Sequence, residues 1–424
     1  MEAPSAVRSD PYWSASRRGG GKTMDFFVYQ QAAFMNNIAA AVRLRRGVLS
    51  RPLVNEFHAT AASFPAVRAR HGRHFERAVR MPEPTFTILV DKLRTRLPSR
   101  GLSAELRTAM ALRYLGGGSY LDICAAFGVA TATMYNCLWE VLDAVNATAS
   151  LDFSFMSGDP VWRRQTAQGF KRSRKTPFDY VLGAIDGRAV QQEQPLARDV
   201  PCVADYYSRK GFYALNMQAV CNVQYEFICM SCKSQESCHD SAAFTSTDLG
   251  AMLMNPRDAT TMQLIQAGYC FVGDEAYAAG EVMAVPWLGS GGGNRWRDSY
   301  NYFLSSCRVH IEQAFGILVW RWGVFWRPLR VPFLKRPSLI RACFKLHNYC
   351  RRYACAEEAS SPFEMDSIEG SVYFCESDSA QPGERGRRRD SERSHLRGRM
   401  TDRLAELGMS SPGVNPMYES DTFF

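Results

Sequence analysis

Tyr180-Val-Leu-Gly-Ala-Ile-Asp-Gly187 is an apolar run of strand length that ends on a carboxylate, Asp186, just before glycine. A second run, Tyr269-Cys-Phe-Val-Gly-Asp274, ends the same way and continues as Glu275-Ala-Tyr277. A third acid, Glu312, lies inside a helical pattern, Arg308-Val-His-Ile-Glu-Gln-Ala-Phe-Gly-Ile-Leu318. Taken singly, an aspartate before glycine is a common turn former and a lone helical glutamate a common surface residue. Together, two strand-end acids and one from a later helix can converge on a pair of divalent cations. Such a site carries out phosphoryl transfer on nucleic acid. The three are too far apart in sequence for any local turn to join them, so only the fold can.

The pattern from 178 to about 355 is α/β. Phe178 to Ile185 is strand-like, and Gly211 to Asn222 with Glu226 to Ser231 reads as a hairpin across Val223-Gln-Tyr225. A helix is expected over His239–Leu253, strands over Tyr269–Gly273 and Val282–Leu288, and helices over about 302–320 and 337–352. Ser290-Gly-Gly-Gly-Asn294 is a loop. His239 and Asp240 open the helix after the hairpin, so Asp240 is either a fourth acid near the site or a helix cap. Arg308 stands one turn before Glu312 on the same helix face. There it can orient that carboxylate, contact DNA, or form an ordinary i,i+4 ion pair.

Residues 74–150 read as an all-helical unit. Pro82-Glu-Pro-Thr85 opens one helix, Ser103 opens a second that stops at Gly116-Gly-Gly118, and a close helix pair follows. In that pair Ile123 and Phe127 are apolar, Gly128 permits a tight turn, Val129 plugs the corner, and the next helix starts at Thr131. The spacing is that of a helix-turn-helix, although a plain bundle uses the same elements. The second helix, Thr131 to Val141, has no Lys or Arg. Its candidates for base contact are Thr131, Thr133 and Asn136. The chain is thus divided into a disordered N-terminus plus a helix (1–73), the helical unit (74–150) and a basic linker (151–177). An α/β domain (178–355) and a flexible charged tail (356–424) with a short helix at 401–407 complete it.

The 424 residues suffice for two or three domains. With 51 basic and 42 acidic residues the net charge is +9, which favours a polyanionic partner, as would solubility alone. The linker adds Lys171 and Arg172 as candidate phosphate contacts, and Arg209 and Lys210 add two more. Thirteen cysteines, an odd number often set in apolar runs, point to free thiols in a reducing compartment. Cys229-Met-Ser-Cys232 with Cys238-His239 lacks the second close pair that a zinc site needs. No apolar stretch reaches the roughly 18 residues of a membrane span, so no membrane association is expected.

Strand hairpin, helix, strand and distal helix occur in the order of an RNase H-like fold, whose first and fourth strands are neighbours. Several pieces follow one another in the chain: Gly183-Ala-Ile-Asp-Gly187, Ser208-Arg-Lys-Gly211 through Asn216 and Gln218, and His239-Asp-Ser241. After them come Gly273-Asp274 with Tyr277, Arg308 with Ile311-Glu312 and Phe315-Gly316, and Leu346-His-Asn348. This series resembles the PIF/Harbinger DDE transposases and the Harbinger transposase-derived nucleases, over about 75–355. The resemblance implies an RNase H-like mixed sheet flanked by helices, preceded by the helix-turn-helix domain. It implies a DDE triad at Asp186, Asp274 and Glu312 holding Mg²⁺ or Mn²⁺, with His239, Asp240 and Arg308 as auxiliary residues. DNA is the implied substrate and the nucleus the implied location, with the cytoplasm also open. A Myb-like DNA-binding partner and a homo-oligomer are further implied associations. The alternative is a domesticated, catalytically inactive nuclear DNA-binding or scaffold protein. One departure falls beside the first acid. After Asp-Gly the family usually has Thr-His, whereas this chain has Arg188-Ala189.

Overall fold

The structure is a computed structural model that describes residues 72–153, 155, 159–288, 294–353, 374–376 and 395–411. The expected N-terminal helix and most of the expected N-terminal segment therefore lie outside the described residues. All of the described residues fall in one compact unit, Ser63–Phe424.

Five helices come first: α1 (Gly72–Val79), α2 (Glu83–Arg94), α3 (Ala104–Leu115), α4 (Tyr120–Phe127) and α5 (Thr131–Ala147). Their ends follow from local chemistry. Ser103 Oγ accepts the Leu106 N–H at the start of α3, and Ser119 Oγ accepts the Leu121 N–H at the start of α4. Gly128 ends α4 in the left-handed region at φ 64°, where a side chain would be strained. After Val129 and Ala130 the chain re-enters helix, and α4 and α5 meet at 102°. Ile123, Met134 and Cys137 pack with Met110 beneath this corner. Among the described residues no single helix is long and apolar enough to cross a membrane.

The expected basic linker is instead largely a helix, α6 (Pro160–Arg174). Asp159 caps it by accepting the Val161 N–H, and Pro160 sits where its missing N–H is not needed. Arg163, Thr166, Ala167 and Phe170 form a buried stripe at helical spacing, which the surrounding basic residues mask in the sequence.

The sheet follows, with β1 (Val181–Gln191), β2 (Ala214–Cys221) and β3 (Phe227–Gln235), then three short helices. These are α7 (Asp240–Thr245), α8 (Asp248–Leu253) and α9 (Ala259–Gln266). One helix was expected over 239–253. It is broken because Thr247 Oγ1 accepts the Gly250 N–H and starts a new one. Next come β4 (Cys270–Val272), β5 (Met283–Ala284), and the long helices α10 (Arg295–Arg321) and α11 (Arg336–Tyr353). Strand β5 is shorter than expected, and Pro286, which lacks an N–H, follows closely. The strand order is β3-β2-β1-β4-β5, with β1–β2 and β2–β3 antiparallel and β1–β4 and β4–β5 parallel.

Two further elements lie in the expected flexible tail: β6 (Phe374–Glu376), which was not expected, and α12 (His395–Glu406), which starts six residues before the short helix expected at 401–407. Strand β6 pairs antiparallel with residues 188–190 of β1, whereas β4 pairs with 181–184, so Asp186 falls in the break between them. Helix α12 buries Leu396, Met400 and Leu404 and packs on α10 and β5. Burial of each such side chain contributes about 2 kcal/mol as an upper bound. Trp287 fixes the helix. Its indole lies between the guanidinium groups of Arg297 (4.3 Å) and Arg397 (4.0 Å) and donates to Thr401 Oγ1 at 3.0 Å.

Helix α11 ties the helical unit to the sheet. Lys345, fully buried, donates to the Asn146 carbonyl at 2.6 Å and pairs with Asp152 at 2.5 Å. Asn348 accepts the Phe227 N–H at 2.8 Å and donates to the Phe227 carbonyl at 2.6 Å. It thereby satisfies the edge strand β3 as a further strand would. His347, beside it, holds the Tyr225 carbonyl at 2.8 Å through Nε2.

Candidate active site

Each of the three acids is positioned by a different element. Asp186 lies on β1, the strand at the middle of the sheet order, and is buried at 6% exposure. Asp274 follows β4, whose Val272 pairs with Ala184, so the parallel register sets the two aspartates on neighbouring chains. Gly273 brings Asp274 close. A Cβ at that position would stand 2.9 Å from both Ile185 Cγ2 and Tyr277 Cδ2, tighter than side chains tolerate. Glu312 projects from α10, which packs on β1 and β2.

Their charges interact. Burial pushes the Asp186 carboxyl up to about 7; Arg188 and Arg308 pull it down, and Asp274 and Glu312 push it up. Asp274 is also raised, by burial first, against the pull of Arg308 and the Ala276 N–H and with the push of Asp240 and Glu275. The acids are electrostatic neighbours, but they do not form the closed ligand cluster expected from the sequence. Among the described residues no group of three His, Cys, Asp or Glu side chains is placed to hold a metal ion. Each acid has partners of its own. Asp186 Oδ1 accepts the Gly187 N–H at 3.0 Å, and Asp186 Oδ2 faces Arg188 Nε at 3.8 Å. Asp274 Oδ1 accepts the Ala276 N–H at 2.9 Å, and Glu312 Oε1 faces Arg308 Nη2 at 3.8 Å. Internal cations and backbone amides take up the negative charge. In donor chemistry the set still suits a small divalent ion, since all of its donors are carboxylate oxygens.

Asp240, expected as a fourth acid near the site or as a helix cap, is an electrostatic neighbour of Asp274. It is the first residue of α7 and is buried at 3% exposure. Its Oδ1 accepts from Asn216 Nδ2 (3.0 Å) and Gln218 Nε2 (2.7 Å). The Tyr277 hydroxyl donates to Gln218 Oε1 at 2.6 Å, extending the chain toward Asp274. Burial and the charges of Asp186, Asp240 and Asp274 hold the Tyr277 phenol well above its ordinary range, so it remains a donor. Sequence reading missed this buried network. The signal was available in Asn216 and Gln218, two apart on one strand and hence on one face.

The remaining candidates sit elsewhere. His239 is exposed and makes no side-chain cap. Arg209 and Lys210 are exposed just before the turn at Gly211. Lys171 and Arg172 are exposed on α6, where Lys171 reaches Asp179 at 3.4 Å and Arg172 donates to Gln168. On α5, Thr131 and Asn136 are exposed and Thr133 is half-buried.

Known proteins resemble this chain over the same region. Over 311 residues the chain is 24% identical to the protein Antagonist of Like Heterochromatin Protein 1 of Arabidopsis thaliana. That alignment covers 68% of this chain and 75% of that protein. No solved structure matches. Residues 185–348 match the family described as DDE superfamily endonuclease, a span that starts one residue before Asp186 and includes Asp240, Asp274 and Glu312. The similarity to a DDE superfamily endonuclease therefore covers all three acids and the elements that carry them.

Proposed function

We propose that this chain is a divalent-metal-dependent DNA endonuclease of the Harbinger transposase type, built on an RNase H-like core. One observation carries the reading: Asp186, buried on a central strand, and Asp274, half-buried just past that strand's parallel neighbour, are carboxylates that repel one another in the field of Glu312. Carboxylates crowded together in that way are costly in a fold and are retained where a ligand engages them. Asp186, Asp274 and Glu312 would hold Mg²⁺ or Mn²⁺. Bound there, the cation supplies Lewis-acid charge stabilisation for in-line displacement at phosphorus.

The chain's own groups do the rest. The Tyr277–Gln218–Asp240 relay fixes the segment after Asp274, and Arg308 orients Glu312 across one helical turn. Arg209, Lys210, Lys171 and Arg172 are the exposed cations offered to phosphates. The α4–α5 corner is the candidate helix-turn-helix, with Thr131, Thr133 and Asn136 offered to base edges. It has no Lys or Arg on α5, so phosphate affinity has to come from elsewhere in the chain or from a Myb-like partner. DNA as substrate favours a nuclear location.

The test uses the full chain on supercoiled plasmid with magnesium or manganese. Cleavage should vanish with chelator and fall by about a hundredfold or more in Asp186→Asn, Asp274→Asn and Glu312→Gln, since each removes a ligand. Cleavage that survives Asp186→Asn would place the activity elsewhere. A second reading, a silent DNA-associated scaffold of transposase descent, is favoured by Arg188 at Asp186 and by a relative whose name denotes antagonism of a heterochromatin protein. DNA binding by the wild type without metal-dependent cleavage would select it.

A further inference from the structure

We propose that Arg188 is a built-in competitor for the divalent cation at Asp186, so that metal enters only by displacing its guanidinium. The inference rests on the metal-centre reading above.

Alternation along β1 places residues 186 and 188 on the same face, so the two side chains lie side by side. Arg188 Nε stands 3.8 Å from Asp186 Oδ2, close enough for charge attraction and too long for a hydrogen bond. Packing holds the guanidinium there. Its Cζ lies 5.5 Å from the ring centre of Phe315, which is on α10 nearly one turn beyond Glu312. The Arg188 side chain is only 16% exposed. It is therefore wedged between the strand that carries Asp186 and the helix that carries Glu312.

An incoming ion finds both oxygens of Asp186 already engaged. Oδ1 takes the Gly187 N–H, a contact fixed by the backbone, while Oδ2 faces Arg188, a contact that a rotamer change can break. The exchange thus swaps a fixed monovalent charge for a divalent one at a single oxygen. A guanidinium does not deprotonate in the working pH range, so Arg188 keeps its charge and its hold on Oδ2 is set by charge and packing. The Arg308–Glu312 contact is a weaker candidate for this role, being an i,i+4 pair on one helix with Glu312 40% exposed.

The experiment is calorimetric titration of the full chain with manganese alone, without DNA. Arg188→Met keeps side-chain length and packing on Phe315 while removing the charge, and Arg188→Gln is a second neutral variant. Arg188→Lys keeps the charge. Both neutral variants should bind manganese about tenfold or more tightly than wild type, as expected for loss of an adjacent positive charge. Arg188→Lys should stay near wild type, and Asp186→Asn should remove binding in every background. Equal or weaker binding by both neutral variants, with binding still lost in Asp186→Asn, would refute the competition and leave the metal centre standing. Manganese binding indifferent to Asp186→Asn would overturn the metal centre and the competition with it.

Discussion

Acidification provides a direct test of the α11 clamp, because His347 is fully buried and wired to one carbonyl. A ring that bonds the Tyr225 carbonyl through Nε2 carries its proton there, so the neutral form is the one the fold wants. Burial lowers its pKa to about 3, helped by Arg321 and Arg351 and opposed by the Tyr225 carbonyl. In the unfolded chain the ring titrates at its ordinary value of about 6.5. The folded value is the depressed one, so the unfolded state binds more protons between the two. The associated stability is whole above about pH 6.5 and is lost as pH falls toward about 3. Each pH unit in that window costs about 1.4 kcal/mol, so moving from about pH 7.5 to about pH 5 should remove about 2 kcal/mol. The assay is urea unfolding of wild type and His347→Gln at those two pH values. The variant also loses the ring packed 4.9 Å from Phe227, so it should start about 1–2 kcal/mol less stable at the higher pH. It should then lose about 2 kcal/mol less than wild type on acidification, bringing the two midpoints together. Other titrating groups cancel in that difference. Parallel losses in both proteins would refute the buried-neutral assignment.

Three further outcomes are expected. Gly273→Ala puts a Cβ 2.9 Å from Ile185 and Tyr277 and should cost about 1–3 kcal/mol by thermal melting, with metal-dependent cleavage reduced because Asp274 moves. Tyr277→Phe deletes the hydroxyl that donates to Gln218 at 2.6 Å; a loss of about 1–2 kcal/mol in urea unfolding is expected, and no loss would mean the relay is not a stabilising contact. Arg397→Ala removes the cation stacked on Trp287 at 4.0 Å and its bond to the Pro286 carbonyl. It should make residues near α12 markedly more sensitive to limited proteolysis, while a wild-type digestion pattern would show the helix is held by its apolar side alone.

The sequence carried the parts of the fold that depend on local pattern. The runs before Asp186 and Asp274, the hairpin around Tyr225 and the tight turn at Gly128 are each written in a few adjacent residues, although β1 does not end at Asp186 as expected but continues to Gln191, held by its ladder with β2. What it hid depends on composition overriding pattern or on contacts between distant segments. The buried stripe of Phe170 and its neighbours on α6 was masked by the basic residues around it. Leu396, Met400 and Leu404 were masked in the same way by arginines nearby. Strand β6 has no signal of its own, because a strand of three residues exists only through its partner. At the site the acids were legible, but not what neutralises them. Arg188 could be read as a departure beside Asp186, whereas its contact with that acid and its seat on Phe315 follow only from bringing β1 and α10 together.

Helix α12 lies against α10 and β5, yet it is synthesised well after both of them. On the ribosome, every residue through Glu312 emerges before Arg397 and Thr401, the α12 side chains that grip Trp287. A nascent chain at that stage has its acids and its sheet path but lacks one outer wall. Early folding intermediates should therefore present a sticky indole and an uncovered flank, making this stretch of synthesis the moment of greatest exposure to chaperones.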